Sequence, residues 1–279
     1  MIDTSKLSPE ELAKRERFDA GYISGQAPVF LTIERSVCGC DYGGNSWTTR
    51  GEADEMVSHL NLVRGRRLIV IGAGAGWPGI YMTHVSGCDT VLTDLSSAGL
   101  GIAEERARKD GISKKVTIAH ADAAALPFSS GSFDAICHSD TLCCLRRKRA
   151  VLTECRRLIR QNGRMVFAVI CIAPGLSPRD HERAIANGPE FVESDTDYDM
   201  LLKQTAWSVI QNEDVTPGFA ASCRRQLEAD NINRDELEVQ IGCQELDLRL
   251  AKWQSKIIAI KDGLLVRNLF IAKPEMGSR

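Results

Sequence analysis

Short, continuous apolar segments alternate with amphipathic segments between residues 67 and 172. Continuous apolar segments are typical of strands buried on both faces, and the segments between them favour helices. Strands that alternate with helices predict βαβ units, with right-handed crossovers that place helices on both faces of a parallel sheet. The pattern therefore predicts an α/β fold with a doubly wound, Rossmann-like sheet. Its predicted strands are 67–71, 90–93, 115–119, 133–138 and 164–172.

Capping and stop signals define the predicted helices. Ser8-Pro9 begins a polar helix that extends to about residue 20, and an apolar patch at 29–33 follows without a predicted helix. The helices predicted next are 51–63, 77–85, 97–109 and 145–160, and Asn162-Gly163 ends the last of them. After Pro174 the sequence predicts helices at 177–186, 198–206, 219–230 and 234–260, with strands at 207–214 and 264–272.

Composition and charge are those of an ordinary globular protein. The 279 residues include 35 Lys and Arg against 37 Asp and Glu, a formal net charge of −2, and 43% are hydrophobic. These values exclude a disordered tail protein, a collagen-like chain and a strongly basic nucleic-acid binder. The basic run Arg146-Arg147-Lys148-Arg149 is therefore interpreted as a solvated helix face.

The sequence favours a cytoplasmic protein without a membrane span. No apolar segment approaches the roughly 20 residues that a bilayer requires, and the charged N-terminus lacks the apolar region of a signal peptide. The ten cysteines are therefore expected to be reduced. Their closest pairs, Cys38-Gly39-Cys40 and Cys143-Cys144, do not have the spacing of a zinc site, so no metal is predicted.

A glycine-rich turn directly follows the first strand. Gly72, Gly74 and Gly76 lack Cβ atoms, so the backbone can approach a ligand closely and adopt positive φ. The dinucleotide fingerprint requires a glycine at the sixth position, which is Trp77 here. The spacing GxGxG suits a nucleoside ligand that has no pyrophosphate.

Two acidic residues sharpen this prediction. Asp94 ends the second strand, 22 residues after Gly72, where a carboxylate can accept hydrogen bonds from ribose hydroxyls. Asp122 follows the third strand and could accept a hydrogen bond from the amine of adenine, while Ala123 offers a backbone N–H. The strand ends therefore predict an adenosine site.

Five segments, in this order, carry a resemblance to a known family. They are RLIVIGAGAGWPGIYMT, VLTDLS, HADAAALPF, GSFDAICHSDTL and ECRRLIRQNGRMVF. The stretch from Gly51 to Ala173 resembles class I S-adenosylmethionine-dependent methyltransferases, in particular the small-molecule branch with the ubiquinone/menaquinone-biosynthesis and sterol C-methyltransferases. The resemblance implies a seven-stranded, mostly parallel sheet whose last strand, 264–272, runs antiparallel against 207–214.

The resemblance also implies a division of the chain and a cofactor, S-adenosyl-L-methionine. Residues 1–50 would form an N-terminal helix and a cofactor-covering segment, 51–176 the cofactor-binding core, and 177–279 a helical cap with the last two strands. The glycines and Ser139 would lie near the methionine part, Asp94 at the ribose, and Leu95 beside the adenine that Asp122 and Ala123 fix. The implied cofactor residues are Gly72, Gly74, Gly76, Asp94, Leu95, Asp122, Ala123 and Ser139.

The expected reaction is in-line transfer of a methyl group to a small-molecule acceptor, which leaves S-adenosyl-L-homocysteine. A histidine base in the loop after the fourth strand cannot be assumed, because that stretch reads Thr141-Leu-Cys-Cys144, and the use of a general base is left open. The candidate catalytic residues are Asp140, Tyr42 and Cys143, and Trp47 and Tyr198 would complete the acceptor pocket. Each has a structural alternative: a helix N-cap for Asp140, a loop anchor for Tyr42 and Trp47, and packing for the cysteine.

Two other function classes stay open at this point. The first is an NAD(P)- or FAD-dependent oxidoreductase, which the shifted glycine spacing and Asp122 disfavour. The second is a protein that binds S-adenosylmethionine without catalysis. The acceptor, the atom that is methylated and the oligomeric state are not predicted.

Overall fold

Seven strands form one sheet in the computed structural model, which describes residues 8–44 and 46–275. The strand order is β3-β2-β1-β4-β5-β7-β6. Strands β1 to β5 pair in parallel, whereas β7 is antiparallel to both β5 and β6. The strands are β1 Arg67–Ile71, β2 Asp89–Asp94, β3 Val116–His120, β4 Phe133–Ser139, β5 Ile159–Ile172, β6 Trp207–Asp214 and β7 Leu265–Pro274.

Helices cover both faces of this sheet. In chain order they are α1 Pro9–Ser24, α2 Pro28–Cys38, α3 Arg50–His59, α4 Gly79–Ser86, α5 Ser97–Lys109, α6 Lys148–Leu158, α7 Pro178–Asn187, α8 Tyr198–Gln204, α9 Thr216–Ile232, α10 Arg234–Ile241 and α11 Cys243–Lys261. The predicted fold class, including the antiparallel last strand, is confirmed. The last two strands pair as expected, although α9, α10 and α11 lie between them in the chain.

Alternate residues of the central strand β1 enter two separate apolar cores. Leu68 and Val70 pack in a core with residues of α2, α3, α4, α5, α10 and α11. Ile69 and Ile71 pack on the opposite face with residues of α6, α7 and α8. All four side chains are at most 2% exposed. The continuous apolar pattern of β1 thus reflects burial on both faces, and it places the end of the strand between two helical layers.

Three predicted elements differ from the structure. Residues 29–33 belong to helix α2, which extends to Cys38 and ends at Gly39 with φ of +75°. The single helix predicted over 234–260 is divided into α10 and α11 at Gly242, where φ is +83° and the helix cannot continue.

The predicted helix stop at Asn162-Gly163 is also wrong. Helix α6 ends at Leu158, and β5 begins at Ile159, which pairs with Phe133 of β4. Gly163 lies inside β5, where a Cβ atom would lie 2.8 Å from the backbone oxygen of Asp134. The absence of a side chain at Gly163 therefore allows β5 and β4 to lie close together.

None of the helices in the described ranges has the length and apolar character needed to cross a lipid bilayer.

Candidate cofactor site and adjoining cavity

A cavity lies at the carboxyl ends of the parallel strands, where ligands bind in open α/β sheets. Seven of the eight predicted cofactor residues lie in its wall. They are Gly72, Gly74, Asp94, Leu95, Asp122, Ala123 and Ser139. The eighth, Gly76, lies behind the turn, where a Cβ atom would be 2.5 Å from Ile80. Its lack of a side chain permits packing between the turn and α4.

The other two glycines of the turn adopt positive φ at the cavity wall. Gly72 has φ of +67° and Gly74 has φ of +50°. A Cβ atom on Gly72 would lie 2.6 Å from the Thr141 side chain, and one on Gly74 would lie 2.5 Å from the Tyr22 hydroxyl. Both positions therefore require glycine on conformational and on steric grounds.

Asp94 braces the glycine turn. Its Oδ2 accepts a hydrogen bond from the Gly74 backbone N–H at 2.8 Å, and its Oδ1 accepts one from the Ser96 N–H at 2.8 Å. Burial raises the pKa of this carboxyl group, although the backbone hydrogen bonds partly oppose that shift. Because each carboxylate oxygen can accept more than one hydrogen bond, Asp94 retains acceptor capacity for a ligand.

Asp122 carries an ion pair that the sequence did not predict. Its Oδ1 accepts from the Ala124 N–H at 2.9 Å, and its Oδ2 accepts from Arg147 at 2.9 Å. Arg147 also contacts Glu11 of α1 at 3.4 Å. The interpretation of 146–149 as a solvated face is therefore wrong for Arg147, which lines the cavity, and for Lys148, which is 6% exposed.

Helix α1 forms a wall of the cavity. Glu11, Lys14, Arg15, Phe18 and Tyr22 line it, and their spacing along the chain places them on one face of a helix. This spacing is visible in the sequence and could have identified them. Burial raises the pKa of the Tyr22 hydroxyl, and the nearby Asp94 carboxylate raises it further.

Two contacts hold the C-terminal half of α1 against the N-terminus of α5. Asp19 accepts hydrogen bonds from the Ser96 hydroxyl at 2.5 Å and from the Ala98 N–H at 3.1 Å. Arg146 forms an ion pair with Glu10 near the other end of α1. The helix is thus held at both ends, next to α5 and next to α6.

Asp140 is the one predicted catalytic residue in the cavity wall. Its carboxylate contacts Arg267 of β7, with Nε to Oδ1 at 3.0 Å and Nη2 to Oδ2 at 3.1 Å. Arg267 is fully buried and also donates to Glu52 at 2.5 Å. No helix N-cap involves Asp140, because the short turn that follows begins after Thr141 and has no side-chain cap.

The structure places Tyr42, Cys143 and Tyr198 away from the cavity, which corrects the prediction that they line the acceptor pocket. Tyr42 packs 5.3 Å from the Trp77 ring, beneath the Arg106 guanidinium at 4.3 Å. The Cys143 thiol is fully buried and donates to the Asp140 carbonyl at 3.1 Å. The Tyr198 ring is in a core, 6.1 Å from Phe270.

Next to Cys143, the Cys144 side chain lines the cavity instead. The neighbouring Cys143 thiol lowers the pKa of Cys144, whereas burial raises the pKa of Cys143. The sequence could not distinguish the two cysteines, because the direction of each side chain depends on the short turn at 142–144.

A second cavity, of about 380 Å³, contains Trp47. Its wall shares Gly44 and Ser46 with the first cavity, and Trp47 packs at right angles to Trp253 with 5.4 Å between ring centroids. The charged side chains in its wall are Glu34, Arg249 and Lys256.

Each of these charged groups has a partner within the chain. Glu34 accepts from the Gly43 N–H at 2.7 Å, and Lys256 donates to the Asn187 carbonyl at 2.6 Å. Arg249 forms an ion pair with the fully buried Asp230 at 2.6 Å. The charged side chains of the second cavity therefore all have hydrogen-bond partners within the described chain.

Comparison with known proteins identifies the domain around the first cavity. Residues 69–167 match a family model described as a methyltransferase domain. Phosphoethanolamine N-methyltransferase 3 of Arabidopsis thaliana is 24% identical over 219 residues, which are 78% of this chain and 44% of the plant protein. The 27-O-demethylrifamycin SV methyltransferase of Amycolatopsis mediterranei is 25% identical, over 72% of this chain and 76% of that protein.

A solved structure has the same fold. Phosphoethanolamine N-methyltransferase 2 of Haemonchus contortus, in complex with S-adenosyl-L-methionine, has a TM-score of 0.76 at 19% identity. The match covers 92% of this chain and 57% of that chain. The present chain thus spans about half the length of the phosphoethanolamine methyltransferases that it matches. Together with the strand order and the glycine turn, these matches show that residues 69–167 correspond to a methyltransferase domain.

Proposed function

We propose that this chain binds S-adenosyl-L-methionine in the first cavity and transfers its methyl group to a small-molecule acceptor, with release of S-adenosyl-L-homocysteine. The observation that carries the proposal is the convergence of three strand ends on one cavity. The glycine turn follows β1, Asp94 ends β2, and Asp122 follows β3. The glycine turn lets the backbone approach a ligand closely, and the two carboxylates beside it can accept hydrogen bonds from an adenosyl group.

An unpartnered polar atom in the cavity wall supports the fit of this cofactor. Ser139 Oγ is buried and has no hydrogen-bond partner among the described residues. A buried hydroxyl without a partner is costly, so this atom is suited to a ligand. The residues that hold the cofactor in this proposal are Gly72, Gly74, Asp94, Leu95, Asp122, Ala123 and Ser139.

The cofactor, when bound, supplies a methyl group activated by a sulfonium. The protein has to position the acceptor in line with the S–CH₃ bond and to exclude water. Helix α1 serves the second task, because five of its side chains form a wall of the cavity. Orientation of two reactants can contribute roughly 7–11 kcal/mol to catalysis.

Asp140 acts as a fixed negative charge in this mechanism rather than as a free base. Both of its carboxylate oxygens are engaged by Arg267, so a proton from the acceptor would have to compete with that ion pair. Tyr42 and Cys143 have no catalytic role in this mechanism, because neither side chain lines the cavity.

The cellular setting and the partner class belong to the same proposal. All ten cysteines are free thiols, which supports a reducing, cytoplasmic location. Enclosure of the site by α1 favours a small acceptor over a nucleic acid.

Calorimetric titration with S-adenosylhomocysteine and, separately, with NADH tests the proposed cofactor. We expect binding of S-adenosylhomocysteine alone, and preferential binding of NADH would contradict the proposal. Turnover is tested by incubation with methyl-labelled S-adenosylmethionine and a metabolite library. Labelled small-molecule products support a methyltransferase, whereas tight cofactor binding without any labelled product favours a non-catalytic binding protein.

A further inference from the structure

Two cationic side chains of α1 line the first cavity, and each has a buried nitrogen without a hydrogen-bond partner among the described residues. Lys14 is 8% exposed, and its Nζ finds no partner within residues 8–44 and 46–275. The same holds for Nε of the adjacent Arg15. Both side chains line the cavity. A buried cationic nitrogen whose N–H groups are not hydrogen-bonded is unfavourable, and a ligand that accepts those hydrogen bonds would relieve this.

The nearest carboxylate forms a long ion pair with Lys14 but no hydrogen bond. Glu190 lies 3.6 Å from Lys14 Nζ, beyond hydrogen-bond distance, and is engaged by Arg17 at 2.6 Å. The Lys14 ammonium instead lies 4.6 Å from the centroid of the Phe191 ring and 5.7 Å from that of Phe18. Aromatic faces stabilise a cation only in part, and they leave its N–H groups unbonded.

The other cations named around the two cavities have hydrogen-bond partners within the described chain. Arg147 pairs with Asp122, and Arg267 pairs with Asp140. In the second cavity, Arg249 has a carboxylate partner and Lys256 has a carbonyl. Within the described ranges, the cationic N–H groups that remain free to bind an anion therefore lie on α1 in the first cavity, and not in the second cavity.

We propose that Lys14 and Arg15 bind an anionic group of the methyl acceptor, a carboxylate or a phosphate. This inference rests on the proposed function and assigns the acceptor to the class of small organic anions. An oxyanion would accept charge-assisted hydrogen bonds from the Lys14 ammonium and from Arg15 Nε. The rings of Phe18 and Phe191, which also line the cavity, would pack against the apolar part of the acceptor.

Titration with inorganic phosphate tests the anion site directly. The protein is first saturated with S-adenosylhomocysteine, and the phosphate affinity is measured by calorimetry for the wild type, Lys14→Gln, Lys14→Arg and Arg15→Gln. We expect a loss of tenfold or more in Lys14→Gln and Arg15→Gln, and a loss of less than threefold in Lys14→Arg. Lys109→Gln, at an exposed lysine on α5, is the matched control and should bind phosphate as the wild type does. Equal phosphate affinity in the wild type and Lys14→Gln would overturn the proposal.

Thermal unfolding separates ligand binding from a structural role. Because Lys14 lacks a hydrogen-bond partner among the described residues, Lys14→Gln should retain or increase the melting temperature of the ligand-free protein. Phosphate should then raise the melting temperature of the wild type more than that of the variant. A large loss of stability in the ligand-free variant would indicate a structural lysine and overturn the proposal.

The carboxylate of the cofactor is the other possible oxyanion, and a pair of nucleosides distinguishes the two sources. S-adenosylhomocysteine carries an amino-acid carboxylate that 5′-methylthioadenosine lacks. If Lys14→Gln weakened binding of the first compound and not of the second, the cations would bind the cofactor and the proposal would fall. If the wild type bound neither compound, the proposed function would fail. The phosphate titration of the ligand-free protein would then still decide whether Lys14 and Arg15 form an anion site.

Discussion

The guanidinium of Arg267 and the carboxylate of Asp140 meet in the protein interior with contacts of 3.0 and 3.1 Å, although 127 residues separate them in the chain. Arg267 is in β7, and Asp140 follows β4 with a φ of +51°. Glu52 of α3 and the attractive charge of Asp140 keep the pKa of Arg267 above its ordinary value in spite of burial. This ion pair connects the antiparallel edge of the sheet to the wall of the cofactor cavity.

Arg267→Met should lower the free energy of unfolding by about 3–5 kcal/mol, because it leaves two carboxylates without their buried partner. Urea denaturation measures this loss. Lys273→Met, an exposed position on the same strand, should change stability by less than about 0.5 kcal/mol. A loss below about 1 kcal/mol in Arg267→Met would show that the ion pair is not a major determinant of the fold.

Asp94→Ala should weaken the binding of S-adenosylhomocysteine by tenfold or more, which corresponds to about 1.4 kcal/mol per tenfold. The substitution removes a hydrogen-bond acceptor for the ligand and the acceptor of the Gly74 N–H. Calorimetry is the measurement, and Asp89→Ala at the other end of β2 is the control. Unchanged affinity in Asp94→Ala would count against the assignment of this carboxylate to the ribose.

Gly74→Ala should destabilise the protein by roughly 1–2 kcal/mol from backbone conformation alone, because φ is +50° there. The clash with Tyr22, whose hydroxyl would lie 2.5 Å from the added Cβ atom, adds to this loss. Gly101→Ala on α5 is the matched control, since a Cβ atom there meets nothing within 4 Å. It should stabilise the helix by about 0.4–1 kcal/mol, as judged by thermal unfolding.

His138 should make the stability depend on pH. Its ring is fully buried and stacks 4.5 Å from Phe167, and burial lowers its pKa to about 3. The unfolded chain therefore binds a proton that the folded chain does not between about pH 6.5 and pH 3, so stability falls as the pH decreases through that window.

The slope from this residue should approach about 1.4 kcal/mol per pH unit below pH 6. His138→Leu should remove that slope, whereas His181→Gln at an exposed position should not. Urea denaturation at several pH values measures both variants. Parallel pH profiles for the wild type and His138→Leu would contradict the assignment.

The positions of the strands along the chain, the glycine turn and the acidic residues after β2 and β3 could be predicted from the sequence. Local patterns determine them: a doubly buried strand is a continuous apolar segment, and the turn after β1 requires glycine because of its φ angles and close contacts. The carboxyl ends of parallel strands meet at one edge, so Asp94 and Asp122 could be assigned to one site without coordinates.

The tertiary structure decided which side chains enclose that site. The Arg147–Glu11 contact joins residues 136 positions apart, and Arg267 reaches Asp140 from the last strand. The sequence favoured a solvated Arg147 and a pocket lined by Tyr42 and Cys143. The periodicity of apolar residues predicts which face of a helix or strand is buried, but it does not predict which distant residues a side chain contacts. A charged side chain can be buried where another element supplies the opposite charge, and that pairing is determined by the packing of distant segments.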